Sequence, residues 1–112
     1  MKVLYHVDER ERWGMLLGNV ANMLAYAKEQ GTPFAIEVVA NGPAVQDLVA
    51  QQSALEDRLA QICAQARICA CNNALGMFGI APETLYSFVR VVPAGVVEIA
   101  ARQQEGYAYI KP

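Results

Sequence analysis

Cys71 stands between two contrasting stretches, Arg67-Ile68-Cys69-Ala70-Cys71 and Asn72-Asn73-Ala74-Leu75-Gly76. The first reads as a short buried strand and the second as the start of a helix. Backbone N–H groups converge at such a junction, and the positive end of the helix dipole favours a thiolate there. The thiolate is the nucleophilic form, so Cys71 is the candidate nucleophile. The plain alternative is a small buried hydrophobe at a strand end, a common role for free cysteine. No dedicated base lies nearby in sequence.

The remaining cysteines read differently. Cys69 shares a strand face with Cys71. Their Cα atoms are about 6.5 Å apart in an extended strand, near the upper limit for a disulfide and with poor geometry. Cys69 is therefore expected in the core, and Cys63 beside the buried stripe of a helix. One Cys-x-Cys pair, with no second pair and a distant histidine, predicts no metal site.

Other polar residues fall at predicted strand ends. His6, the only histidine, ends the first strand, where it can act as acid, base or polar ligand. Otherwise it is a partly buried histidine satisfied by a backbone group or by Asp8. Asn41, Asn72 and Asn73 suit turns and helix caps. They can equally supply uncharged donors around a thiol-bound group. Asp8, Glu9 and Glu11 are interleaved with Arg10 and Arg12, which reads as a solvated loop rather than a cation site. No Gly-x-Gly-x-x-Gly follows the first strand and no Walker A lysine motif is present, so no nucleotide cofactor is expected. One histidine and no nucleophile elbow leave no Ser-His-Asp arrangement.

The elements that position these residues alternate. Val3–Val7 reads as a strand. Glu11–Gln30 is helical, with Trp13, Leu16, Leu17, Val20, Leu24 and Ala27 on one stripe, Gly31 as C-cap and Pro33 beyond it. Gly14 and Gly18 in that helix suggest close approach of another backbone, from the sheet or a second subunit. Phe34–Val39 is a second strand, ended by Asn41-Gly42-Pro43. A short helix follows over Ala44–Val49. Ser53 with Glu56 reads as a capping box ahead of a stripe formed by Leu55, Leu59, Ile62 and Ala66. After the Cys71 strand come a short helix ending near Gly79, a turn at Ala81-Pro82-Glu83, a strand over Phe88–Val92, a helix opened by Pro93 and ended by Gly106, and a last strand over Tyr107–Ile110.

Strands that are continuous apolar runs, alternating with helices, predict a parallel sheet covered on both faces. The expected fold is α/β, a three-layer α/β/α sandwich with a five-stranded parallel sheet. Sites in such folds lie outside the carboxyl ends of the strands. That rule places Asp8-Glu9, Asn41-Gly42, Cys71-Asn72-Asn73 and Pro93-Ala94-Gly95 on one edge, without saying which are neighbours.

Composition narrows the function classes. The 112 residues suffice for one domain over 1–112. Hydrophobic residues make up 54% and charged residues 18%, so the chain is globular and some apolar surface is expected between subunits. The net charge is −2 with no Lys/Arg cluster, which argues against nucleic acid or an anionic membrane as the main partner. No apolar run approaches the roughly 20 residues of a membrane span. The N-terminus reads as a first strand rather than a signal peptide, so a cytoplasmic protein with reduced thiols is expected.

The chain resembles the small DsrE/DsrF-like proteins, the group that includes the YchN-type proteins. The resemblance spans the whole length. It is carried by His6-Val7-Asp8-Glu9, Leu17-Gly18-Asn19-Val20, Val38-Val39-Ala40-Asn41-Gly42-Pro43-Ala44-Val45, Ala70-Cys71-Asn72-Asn73-Ala74-Leu75, Val92-Pro93-Ala94-Gly95-Val96-Val97-Glu98 and the ending Gly106–Pro112. It implies an α/β/α fold and a homo-oligomer, usually a trimer or hexamer. Sulfur-relay relatives carry sulfur as a persulfide on a cysteine just before a helix, and Cys71 matches that position.

Together these readings predict a sulfur-trafficking protein carrying sulfane sulfur on Cys71, with donor and acceptor proteins as partners. It is at most sulfurtransferase-like rather than an enzyme of independent turnover. Asn41, Gly42, Asn72, Asn73, Gly95 and His6 are the expected ligand-binding neighbours. The alternative is an oligomeric module that binds a small molecule or anion without covalent chemistry.

Overall fold

Successive side chains along a strand point to opposite faces, and burial of both faces sets the layers. The computed structural model describes residues 1–51 and 53–112. Five strands, β1 (Lys2–Val7), β2 (Ala35–Ala40), β3 (Ala66–Cys71), β4 (Val89–Val92) and β5 (Ala108–Ile110), form an all-parallel sheet in the order β4-β3-β2-β1-β5. One face carries Val3, Tyr5 and Val7 of β1, Ile36, Val38 and Ala40 of β2, and Ile68 and Ala70 of β3. Helices α1 (Trp13–Gln30), α2 (Glu56–Ile62) and α3 (Asn72–Met77) bury their stripes on that face. The other face has a smaller core of Leu4, Val39 and Cys69, against which Ile99 of α4 (Gly95–Gln104) and Tyr107 pack. The architecture is therefore the three-layer α/β/α sandwich that the alternating pattern predicts.

Local chemistry accounts for the element ends. Gly31 ends α1 at φ 67, and its N–H bonds the carbonyls of Ala27 and Lys28, the left-handed cap that glycine adopts without strain. Trp13 is buried at the start of α1 and donates its indole N–H to the Ala44 carbonyl at 3.0 Å. That bond ties α1 to the turn after β2.

Three expectations change. The segment Gly42–Leu48 is a 3-10 helix begun by Pro43, not an α-helix over Ala44–Val49. Ser53 does not cap α2 from the expected position: its Oγ accepts from the Leu55 N–H at 3.0 Å, and Leu55 is the N-cap, without a side-chain capping bond. Ala66 belongs to β3 rather than to the α2 stripe. Within the protomer, Gly14 and Gly18 meet no sheet backbone. A Cβ on Gly18 would touch nothing within 4 Å, and one on Gly14 only the Arg58 guanidinium at 3.9 Å. Among the described residues, no helix is long and apolar enough to cross a membrane.

Candidate functional site

Neighbouring strands β3 and β4 send their outgoing connections to opposite faces of the sheet. β3 runs directly into α3 on the large-core face, whereas β4 turns through Pro93 and Ala94 into α4 on the other. A parallel sheet opens its ligand crevice where successive connections diverge in this way. Cys71, paired with Val92 across β3 and β4, lies at that point.

Gly95 is what lets α4 begin on the thiol. A Cβ there would lie 3.2 Å from the Asn41 Cβ, 3.3 Å from the Cys71 Cβ and 3.5 Å from the Val39 Cγ1. Cys71, Asn41 and Gly95 thus converge from β3, the end of β2 and the first turn of α4. Cys71 is only 7% exposed. It is also the N-cap residue of α3, in extended backbone with φ −72 and ψ 118. α3 thus begins at Cys71 and α4 begins against its Cβ, and the sulfur makes no capping hydrogen bond to α3.

A polar chain runs from the opposite sheet edge to this cluster. Tyr109 on β5 lies 2.6 Å from His6 Nδ1, and His6 Nε2 lies 2.8 Å from Asn41 Oδ1. The amide oxygen only accepts, so Nε2 donates to it, and the tyrosine hydroxyl is the partner of Nδ1. This arrangement leaves the Asn41 NH₂ group facing away from His6. His6 is thus satisfied by Tyr109 and Asn41, not by Asp8 or a backbone group. Asp8 instead pairs with Lys111 at 3.0 Å, and the hydrogen bond from Lys111 holds its carboxyl below the usual range.

The other expected neighbours lie at the margin. Gly42, at φ 52, turns the chain tightly against Asp8: a Cβ would lie 3.4 Å from the Asp8 carbonyl oxygen. Its close neighbours are Asp8 atoms rather than the thiol. Asn72 and Asn73 are exposed on the first turn of α3. The structure therefore brings Cys71, Asn41, Gly95 and His6 together, with Gly42, Asn72 and Asn73 flanking them.

All three cysteines are free thiols. Burial pushes the Cys69 thiol up to about 12, with Glu37 and Glu98 adding to the effect, so it stays protonated at neutral pH. Cys63, half-buried at the C-cap of α2 and packed against the core, donates its S–H to the Ala60 carbonyl at 3.2 Å. Glu37, Cys69 and Glu98 approach within 4.8 Å of one another. Arg67 already pairs with Glu37 at 3.3 Å and Arg102 with Glu98 at 3.3 Å. A cation there would have to displace both arginines and a tightly held thiol proton, so the group reads as a carboxyl pair between cations.

Sequence reasoning passed over Tyr109, Lys111 and this carboxyl pair. Glu37 carried a visible signal, as the one charge in the apolar run Phe34–Val39. Tyr109 carried none, because pairing of β5 beside β1 depends on the strand order.

The DsrE/DsrF-like family model matches residues 4–112. A solved structure of a protein of unknown function, MTH1491 from Methanobacterium thermoautotrophicum, is similar at a TM-score of 0.89 and 34% identity. The match covers 99% of this chain and 98% of that one. No curated protein sequence matches.

Proposed function

The chain belongs to the DsrE/DsrF-like family, and from that premise we propose that it is a cytoplasmic sulfur-trafficking protein whose Cys71 carries sulfane sulfur as a persulfide. The observation that supports this reading is the meeting of Cys71, Asn41 and Gly95 where the connections after β3 and β4 diverge. The Cys71 thiolate attacks the outer sulfur of a polysulfide or a persulfidated donor. One S–S bond forms, the donor's S–S bond breaks, and the donor leaves as a thiolate. An acceptor thiolate then attacks the outer sulfur and releases Cys71. Each step is an exchange between sulfurs and needs neither a net oxidant nor a dedicated base.

The surroundings suit that exchange. The N-terminal end of a helix attracts anions; α3 begins at Cys71 and α4 begins against its Cβ. The Asn41 NH₂ is an uncharged donor facing away from His6. His6 and Tyr109 act as positioning residues that fix the Asn41 amide. Exposed Asn72 and Asn73 lie where a donor or acceptor protein would approach. Exposed Val96 and Val97 on α4, at 66% and 65%, and Met77 at 82% favour association of copies, with a trimer or hexamer expected.

Incubation with polysulfide or a loaded desulfurase, followed by intact mass measurement, tests the reading. The expected product is heavier by one sulfur atom, and Cys71→Ser abolishes it. An unmodified mass, or an adduct that persists in Cys71→Ser, rejects it. The Tyr109–His6–Asn41 chain favours a second reading, a binding module for a small molecule or anion in which Cys71 merely lines the cleft. A ligand-induced thermal shift that survives Cys71→Ala would support that alternative.

A further inference from the structure

Glu37 is buried away from the thiol, in the middle of β2. It is 2% exposed and lies between Leu4 of β1 and Arg67 of β3. Its carboxylate, the Cys69 sulfur and a Glu98 carboxylate oxygen all fall within 4.8 Å of one another. Glu37 Oε1 accepts from Arg67 at 3.3 Å, but Oε2 is buried with no hydrogen-bond partner among the described residues.

The charges facing this pocket come from every neighbouring element. Arg67 and the Cys69 thiol project from β3, Arg90 from β4, and Glu98 and Arg102 from α4. Lys2 of β1 is drawn off, donating to the Glu105 carbonyl at 3.1 Å. The Arg67 side chain is 45% exposed, and Arg102 divides itself between Glu98 and Glu105. The cations are thus shared with solvent and other anions, while two carboxylates meet under α4. Two carboxylates this close in a low-dielectric pocket do not both ionise easily, and one shared proton relieves them. It also supplies the hydrogen bond that Glu37 Oε2 lacks.

We propose that Glu37 and Glu98 share a single proton, and that this proton is a latch holding α4 on the sheet, closed when bound and released when lost. Burial, then the approach of the Glu98 carboxylate, raise Glu37 from 4.5 to about 7, against the opposing pull of Arg67 and Arg102. The folded chain therefore holds a proton that the unfolded chain has released between these values. Its stabilising contribution is complete below about 4.5 and is lost as the pH rises through about 7. A metal in the same place would need the Cys69 thiol, held to about 12, to lose its proton. A proton needs no such change.

The latch reaches the thiol through α4. Glu98 lies one turn from Gly95, and Gly95 rests on Cys71. Loss of the proton frees the start of α4 and uncovers Cys71 at alkaline pH. This does not depend on the sulfur reading, because alkylation reports access without any sulfur donor.

The test combines amide exchange across residues 95–104, corrected for intrinsic rates, with Cys71 alkylation normalised to thiolate content. Between about pH 6 and about pH 8.5, opening of α4 and normalised alkylation are expected to rise about tenfold in the wild type. Glu37→Gln and Glu98→Gln, which replace the shared proton with amide hydrogens, are expected to hold that rise below about twofold. The wild type should also show the infrared carbonyl band of a protonated carboxyl at the lower pH and lose it at the higher. Absence of that band, a pH-independent α4, or pH dependence surviving in both variants would overturn the proposal. So would one zinc ion bound per chain through Cys69, replacing the proton as the occupant. The infrared measurement needs no variant, so a variant that fails to fold leaves the proposal testable.

Discussion

Gly95 sets how closely α4 can start on the thiol. Both nearest neighbours of an added methyl are Cβ atoms, at 3.2 and 3.3 Å, one following β2 and the other on β3. Cβ atoms cannot swing aside as side-chain ends do, so α4 must shift. Gly95→Ala is expected to cost about 1–3 kcal/mol in urea unfolding and, by pushing the start of α4 off the thiol, to speed alkylation of Cys71. Unchanged values for both would mean that α4 yields freely at its first residue. Tyr109→Phe removes the hydroxyl partner of His6 while leaving the ring in place. The expected result is a stability loss of about 1 kcal/mol, with sulfur transfer falling several-fold and Cys71 alkylation unchanged. A parallel fall in both would make Tyr109 structural rather than a positioning residue. Residue identity alone marked Cys71, Asn41 and His6 as chemically capable. The partners of His6 were not legible, because Tyr109 lies 103 positions away.

The helices are held unequally. α1 buries Trp13, Leu16, Leu17 and Val20 in the large core, whereas α4 meets the small core chiefly through Ile99. Leu16, 0% exposed, has many more neighbours to lose than the partly exposed Ile99. Leu16→Ala is expected to cost about 3–5 kcal/mol and Ile99→Ala about 2, measured by denaturant titration. Equal losses would mean that α4 contributes as much to the core as α1. The long stripe of α1 was legible because a run over Trp13–Gln30 averages out local noise and Gly31 marks its end. The segment between β2 and α2 was less legible. Ser53 and Glu56 have the spacing of a capping box, yet the Ser53 hydroxyl satisfies the Leu55 N–H instead. Local turn chemistry offers that donor a nearer acceptor than the helix requires.

At the scale of the molecule, α4 is the helix that covers its face among the described residues, and it leaves Val96 and Val97 exposed. Association of copies through this surface would shield them. Val97→Glu is expected to lower the molar mass measured by light scattering toward that of one chain, with the circular dichroism spectrum preserved. A wild type that is already monomeric would reject this part of the reading. The alternation of apolar runs and amphipathic stretches determined by itself that the sheet is parallel and layered, because a continuous apolar strand run and a period-3.6 stripe are local properties. It also determined that Cys71 ends a strand and begins a helix. Only the tertiary structure decided which strand ends are neighbours. The order β4-β3-β2-β1-β5 sends the connections after β3 and β4 to opposite faces, setting Gly95 on Cys71 and Asn41, and joins Tyr109 to His6 across β5 and β1. Those contacts are long-range pairings, chosen by how the whole apolar surface is buried, and no window of sequence contains both partners.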